Sequence, residues 1–157
     1  MTRLHPRIRL LWLLRAGILA LVVGGGVALA TRFAPVPLPV SSVVAAVGLG
    51  GLVLVVGVAS ALLRYRAWQY EIRDDSLYLE RGVLTKVRTV VPFVRIQHVD
   101  TRRSPTERII GLASTIVYTA GSRGADVSVP GLALESADDL QDQLKRLAIR
   151  AEGDDAV

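Results

Sequence analysis

Two long apolar runs stand back to back in the first 63 residues, and they restrict the chain more than any other feature. Leu10 to Ala30 carries one charge, Arg15, and Val40 to Leu63 carries none. At about 1.5 Å per helical residue the two runs reach roughly 32 and 36 Å, against a bilayer core of about 30 Å. A soluble domain has no use for two adjacent stretches of that length. The pattern predicts an N-terminal segment and two-span transmembrane hairpin over 1–63, with spans at about 10–30 and 40–63. A polar domain over 64–150 and a flexible tail over 151–157 follow.

The formal charge of +5 invites a nucleic-acid reading, and its distribution removes it. Residues 1–63 hold Arg3, Arg7, Arg9, Arg15 and Arg32 with no acid, whereas 64–157 hold fourteen bases and fourteen acids. The excess lies beside the apolar runs, where it sets topology, and not on a surface that could displace counterions from DNA. Arg3, Arg7 and Arg9 precede the first run, with Arg15 just inside it, and Arg64, Arg66 and Arg73 follow the second, while the connection Thr31–Pro39 holds only Arg32. The positive-inside rule then puts both termini in the cytoplasm of a multi-pass protein of the cell (plasma) membrane. No nucleic acid is expected as a partner.

With no cysteine there is no disulfide framework and no thiolate metal site, and His5 and His98 are too few and too far apart for another. Gly24-Gly25-Gly26 lies inside an apolar run, and Gly121-Ser122-Arg123-Gly124 lacks the Walker lysine. Neither a cofactor nor a small-molecule substrate is expected.

A signal peptide is the main rival for the first run, because Ala28-Leu29-Ala30 ends it in a small-x-small pattern. Leu10–Leu14 extend that run to spanning length, and the second span begins nine residues later, so cleavage would leave a stub. Arg15 lies close enough to the inner end for its guanidinium to snorkel, and neither run offers an acidic partner for an ion site. Trp12, Arg15, Arg64, Tyr65, Arg66 and Trp68, with Tyr70, fall where headgroup anchors belong. Small residues recur at four-residue spacing in Ala20/Gly24/Ala28, Ala46/Gly50 and Gly57/Ala61. Such stripes line a contact between the two spans or between protomers, or merely reflect the composition of membrane helices.

From Tyr65 onward the period falls to two. Leu77 and Leu79 alternate with Tyr78 and Glu80, and Val87 and Val91 with Arg88 and Val90. Ile116 and Tyr118 alternate with Thr115, Val117 and Thr119, and Val127 and Val129 with Ser128. Turn residues at Asp74-Asp75-Ser76, Gly82, Arg103-Ser104-Pro105, 121–124 and Pro130-Gly131 separate these runs into five to seven antiparallel strands. Parity breaks between Ile96 and Val99, where a bulge lets both point inward. A closing helix is expected from Ser136, with Asp139 completing a capping box. Its apolar stripe is Ala137, Leu140, Leu144, Leu147 and Ala148, which suits covering one face of the sheet.

The densest string is Val94-Arg95-Ile96-Gln97-His98-Val99-Asp100, then Arg103-Ser104-Pro105-Thr106-Glu107-Arg108-Ile109-Ile110-Gly111-Leu112-Ala113 and Tyr118-Thr119-Ala120-Gly121. With Tyr70-Glu71-Ile72, Glu80-Arg81-Gly82-Val83-Leu84 and Pro92, it resembles the prokaryotic PH-like domain family, and the preceding spans make it similar to the family's short YdbS-like membrane form. The resemblance implies an α+β chain: a two-helix transmembrane hairpin, then a PH-like antiparallel β-sandwich or barrel of about seven strands capped by a C-terminal helix. It also implies self-association or a complex with a larger membrane protein bearing several PH-like copies. Resistance to membrane-active peptides or envelope stress is the setting it suggests, and it brings no catalytic residues.

The motif residues Gly82, Arg95, Ile96, Gln97, Ser104, Pro105, Glu107, Arg108, Gly111 and Gly121 are read mainly as architecture. The glycines suit positive φ or close approach, Arg95 suits a pair with Glu107 or a neighbouring acid, and Gln97 suits a strand-end backbone group. Arg108 is left for headgroups or a partner. His98, Asp100 and Ser104 invite a triad, but Ser104 lies beyond the next turn with no oxyanion-hole motif near it. Eukaryotic PH domains that bind inositides use a basic first hairpin loop, and here Arg73-Asp74-Asp75-Ser76 is net acidic. The polar domain divides into 64–124 at +5 and 125–157 at −5, which suits internal balance or head-to-tail contact between copies. The leading expectation is a non-enzymatic membrane-anchored interaction module, and the alternative a sensor of anionic membrane lipids beside its own anchor.

Overall fold

A computed structural model describes residues 1–33, 41–120 and 126–154. The chain forms two compact units, Met1–Ile8 with Arg64–Val157 and, separately, Arg9–Leu63.

The apolar unit is made by two helices, α1 (Ile8–Phe33) and α2 (Ser42–Ala67). Only 6% of each apolar window is buried, which separates these helices from the core helices of a soluble protein. Leu21, Val22, Val43 and Val47 all point outward, as lipid-facing residues must. The buried faces are small: Ala16, Ala20 and Gly24 meet Ala46, Gly50 and Gly57 in antiparallel order. A Cβ on Gly50 would come within 3.2 Å of the Ala20 carbonyl, and one on Gly57 within 2.6 Å of the Ala16 Cβ. The small-residue stripe therefore lies between the two helices, except at Ala28, which is exposed.

The polar unit is α+β. Strands β1 (Thr2–Arg3), β2 (Gln69–Ile72), β3 (Ser76–Arg81) and β4 (Val87–Pro92) form one antiparallel sheet in that order. A short 3₁₀ turn, Phe93–Arg95, leads to β5 (Ile96–Arg102) and a short helix α3 (Pro105–Ile110). Strands β6 (Leu112–Thr119) and β7 (Val127–Ala133) complete a second sheet, ordered β5-β6-β7, and helix α4 (Leu134–Asp154) follows. Ala137, Leu140, Leu144 and Ala148 of α4 are buried against the core made by Leu77, Leu79, Val91, Val99, Leu112 and Val117. Gln141 locks the helix to β5, its Nε2 donating to the Val99 carbonyl (2.9 Å) and its Oε1 accepting from Thr101 (2.7 Å). The register shift between Ile96 and His98 lets Ile96 and Val99 both turn inward, as the parity break predicts.

Several expectations need correction. The seventh strand comes from ahead of the apolar helices: Thr2 pairs with Tyr70 and Arg3 with Gln69. Leu4 and Ile8, 2% and 1% exposed, belong to the polar core, so residues 1–8 are part of that domain and not of the hairpin. Helix α2 continues to Ala67, past the expected end at Leu63, because nothing in Arg64-Tyr65-Arg66 breaks a helix. Helix α4 starts at Leu134, which puts Ser136 inside its first turn instead of at the cap, and it runs to Asp154, into the segment read as a tail. In β6 the buried residues are Leu112, Ala113, Thr115 and Val117, with Ile116 and Tyr118 only half-buried. A hydroxyl tolerates that face because Thr115 Oγ1 donates to the Ala137 carbonyl of α4 (3.3 Å). Val87 is exposed, since it pairs with Arg81 at the end of the sheet.

Two outcomes follow from this packing. Leu4→Ala leaves a void in the polar core and lowers stability by about 2–5 kcal/mol, measurable by thermal unfolding in detergent. Gly50→Leu forces the two helices apart and lowers the melting temperature, whereas Gly51→Leu, with open space around its Cβ, leaves it unchanged.

Candidate functional site

The motif string builds a capped helix between β5 and β6. Ser104 is the N-cap of α3 with an extended backbone (φ −70, ψ 158), and Pro105 takes the first helical position, where a missing N–H costs nothing. Glu107 is buried and closes the capping box. Its Oε2 accepts from the Ser104 backbone N–H (2.8 Å) and from Ser104 Oγ (2.7 Å), and its Oε1 accepts from Ser114 Oγ on β6 (2.6 Å). Gly111 ends the helix in the left-handed region (φ 71), where its N–H turns back to Arg108, and Arg103 Nε donates to the Leu112 carbonyl. Turn residues alone place only a turn at Arg103-Ser104-Pro105 here. The signal for a helix was present in Ser104-x-x-Glu107 with Pro105 inside the start and Gly111 past the end.

Of the remaining motif residues, Ile96 is buried, while Arg95, Gln97 and Arg108 are exposed. The pair expected between Arg95 and Glu107 does not form, because the Glu107 carboxylate is taken up by the two serines and Arg95 points to solvent. It is the Arg95 carbonyl that serves, accepting from Ala120 (2.9 Å). Gly82 has φ 102, and a Cβ there would overlap the Thr85 carbonyl, so the β3–β4 turn needs glycine. Gly121 lies outside the described residues.

The residues expected at headgroup depth divide. Trp12 is half-buried and Arg15 exposed on α1. Arg64, Tyr65 and Arg66 occupy the last turns of α2, where the Tyr65 hydroxyl donates to the Leu4 carbonyl (3.3 Å). Trp68 is only 6% exposed, so its ring is unavailable to headgroups and serves the interior instead. Tyr70 is buried too, and burial pushes its phenol above the ordinary range.

No catalytic geometry assembles around His98. Its Nε2 lies 2.6 Å from Asp100 Oδ1 and its ring near Tyr118, but both partners of the pair are largely exposed, and Ser104 is committed to Glu107. Among the described residues no group of acids and histidines could hold a metal ion.

The first hairpin loop, between β2 and β3, is stabilised from within. Arg73 stacks over the Tyr78 ring at 4.0 Å and its Nε approaches Glu71 Oε2 (3.4 Å). A hydrogen bond from the Met1 ammonium, with Arg73 behind it, holds the Glu71 carboxyl below the usual range. A cleft of about 390 Å³ opens beside this loop, lined by Asp74, Asp75, Phe93, Val94, Leu147 and Arg150 among others. Two carboxylates against one guanidinium make a poor phosphate cradle.

A hairpin of apolar helices joined to a two-sheet, helix-capped PH-like domain defines a membrane protein of the PH class. The chain belongs to the bacterial PH domain family, whose model matches residues 17–148 and so takes in most of the helical hairpin as well as the polar domain. It is 35% identical over 112 residues to the UPF0699 transmembrane protein YdbS of Bacillus subtilis (strain 168), covering 71% of this chain and 68% of that one. It is 26% identical over 106 residues to the UPF0699 transmembrane protein YdbT of the same organism, covering 66% of this chain but only 22% of that longer relative. No solved structure matches.

If Glu107 is an architectural residue, Glu107→Ala strands the Ser104 and Ser114 donors and destabilises by about 1–3 kcal/mol, read as a lowered unfolding midpoint. Glu107→Gln keeps one carbonyl acceptor and falls between the two.

Proposed function

We propose that this chain is a non-enzymatic, membrane-anchored interaction module of the cell membrane, with both termini cytoplasmic, that binds other PH-like membrane proteins through an open sheet edge. The observation that carries the reading is β4. It ends its sheet, and among the described residues no strand pairs its outer side. Val87 and Val90 are exposed along it, and Val94 just beyond. Such an edge offers backbone hydrogen bonds to an added strand, with side-chain contacts setting specificity. A second copy of this chain, or a larger relative of the YdbT kind, is the partner class that the resemblance supports. The opposite net charges of 64–124 and 125–157 suit ordered contact between copies. Resistance to envelope stress is the setting in keeping with the family.

The pairing of Thr2–Arg3 with Gln69–Tyr70 supports a shared side for the two ends of the hairpin, and the flanking arginines support the cytoplasm as that side. It also speaks against signal cleavage, which would remove β1 and Leu4.

The chain has no cysteine, so Val90→Cys introduces a single thiol. Oxidative or short-linker crosslinking in native membranes should give a dimer, or an adduct to a second PH-like protein, and Val90→Pro should reduce co-purification of that partner. Monomer alone under all crosslinking conditions would end this reading.

A further inference from the structure

Among the described residues of the polar unit, Leu84 and Ile109 are the most exposed large apolar side chains, at 100% and 84%. They sit on different elements, the β3–β4 turn and α3, yet at one end of the domain. Gln69, the first residue of β2, pairs with Glu80 near the end of β3, so the turn at 82–86 projects from the end where the chain arrives from α2. Segment 3–8, which leads into α1, runs across the same end. Arg3 pairs with Gln69, the His5 N–H donates to the Gly131 carbonyl (2.9 Å), and Arg7 Nη1 comes to 3.4 Å from where a Gly111 Cβ would stand, at the C-cap of α3. The two apolar tips thus flank the point where the polar domain releases its chain to the apolar helices and takes it back.

Each tip is set among bases. Arg81, Lys86 and Arg88 are exposed around the first, balanced only by Glu80, which pairs with the latter two. Arg102, Arg103 and Arg108 are exposed around the second, and the one acid there, Glu107, is buried in its capping box. An exposed leucine or isoleucine costs nothing by itself. Two of them at the end of the polar unit where the chain leaves for the apolar helices, each with cations around it, match the pattern by which peripheral segments seat in the headgroup boundary of anionic bilayers.

We propose that Leu84 and Ile109 insert into the headgroup boundary of the protein's own bilayer, with Lys86, Arg88, Arg102 and Arg108 among the bases that meet anionic lipid, so that this end of the domain rests on the membrane. The contact needs no specific headgroup and no pocket. It rests on the membrane assignment of the family and is independent of self-association, which Val90→Cys crosslinking reads separately.

The test uses the full chain in nanodiscs, with Leu84→Cys, Ile109→Cys or Val94→Cys carrying an environment-sensitive NBD label. Val94 lies at the opposite end of the sheets and serves as the reference. In discs containing phosphatidylglycerol, labels at 84 and 109 should be blue-shifted and lose emission to doxyl lipids, as expected for groups about 5–10 Å into the boundary. The label at 94 should show neither lipid effect. Unquenched, water-like emission at 84 and 109 would overturn the proposal. A blue shift without lipid quenching would overturn it too, because it would put a protein on those tips. Equal quenching in pure phosphatidylcholine discs would overturn the role given to the bases.

Discussion

The burial of Leu4 and Ile8 in the polar core is the contact on which the rest of the domain depends. Leu4 lies ahead of the first apolar helix and Ile8 is that helix's first residue, yet both lie among residues contributed by 64–157. Gly131 shows how tightly the segment is held. Its φ of 65 is a glycine conformation, and a Cβ there would come within 2.7 Å of Ile8. The β1–β2 ladder joins residues far apart in sequence, and loop closure over such a distance is costly for a free chain. The antiparallel contact of α1 with α2 reduces that cost, because small residues at Gly24, Gly50 and Gly57 let the helices turn the chain back on itself. The hairpin is thus more than an anchor: it returns the chain to the strand and core residues that complete the PH-like domain.

The motif string from Ser104 to Gly111 is, in physical terms, a helix-capping device. Ser104, Pro105, Glu107 and Gly111 each satisfy a different demand of a six-residue helix: a capped start, a permissible first residue, a reciprocal N3 acceptor and a left-handed exit. A helix this short has no intrinsic stability, so its caps carry it. Each of these four residues therefore has an architectural role in the short helix. The exposure of Ile109 and Arg108 on the same helix is the one part that capping does not explain.

Much of the fold was legible in residue patterns, and the failures are instructive. Hydropathy length predicted both apolar helices, the two-residue period the strands of residues 69–133, the parity break at Ile96 and Val99 the bulge, and the stripe from Ala137 to Ala148 the closing helix. Strand β1 was illegible, because two residues beside an apolar run have no period and their pairing is decided by a partner 66 or more residues away. The alternation in β6 leaves the buried face open, because hydrophobicity alone favours Ile116 over Thr115, whereas a backbone carbonyl from α4 satisfies the threonine hydroxyl. Trp68 was assigned to headgroups by composition, although its position next to β2 makes it interior.

The two ends of the polar domain differ in charge in a way that bears on how a PH-like fold can work when it is tethered. Inositide-binding PH domains must find the membrane, and a basic first hairpin loop draws them there. Here that loop carries Asp74 and Asp75, and its one base, Arg73, is held by Tyr78 and Glu71. Exposed bases, Arg81, Lys86, Arg88, Arg102, Arg103 and Arg108 among them, gather instead at the end where the chain joins its apolar helices. A covalent tether makes lipid search unnecessary. On the proposed membrane contact, the same tether would let weak charge attraction act at high effective concentration. The acidic cleft beside Asp74 and Asp75 and the outer side of β4, unpaired among the described residues, are the surfaces the proposed protein partners would use.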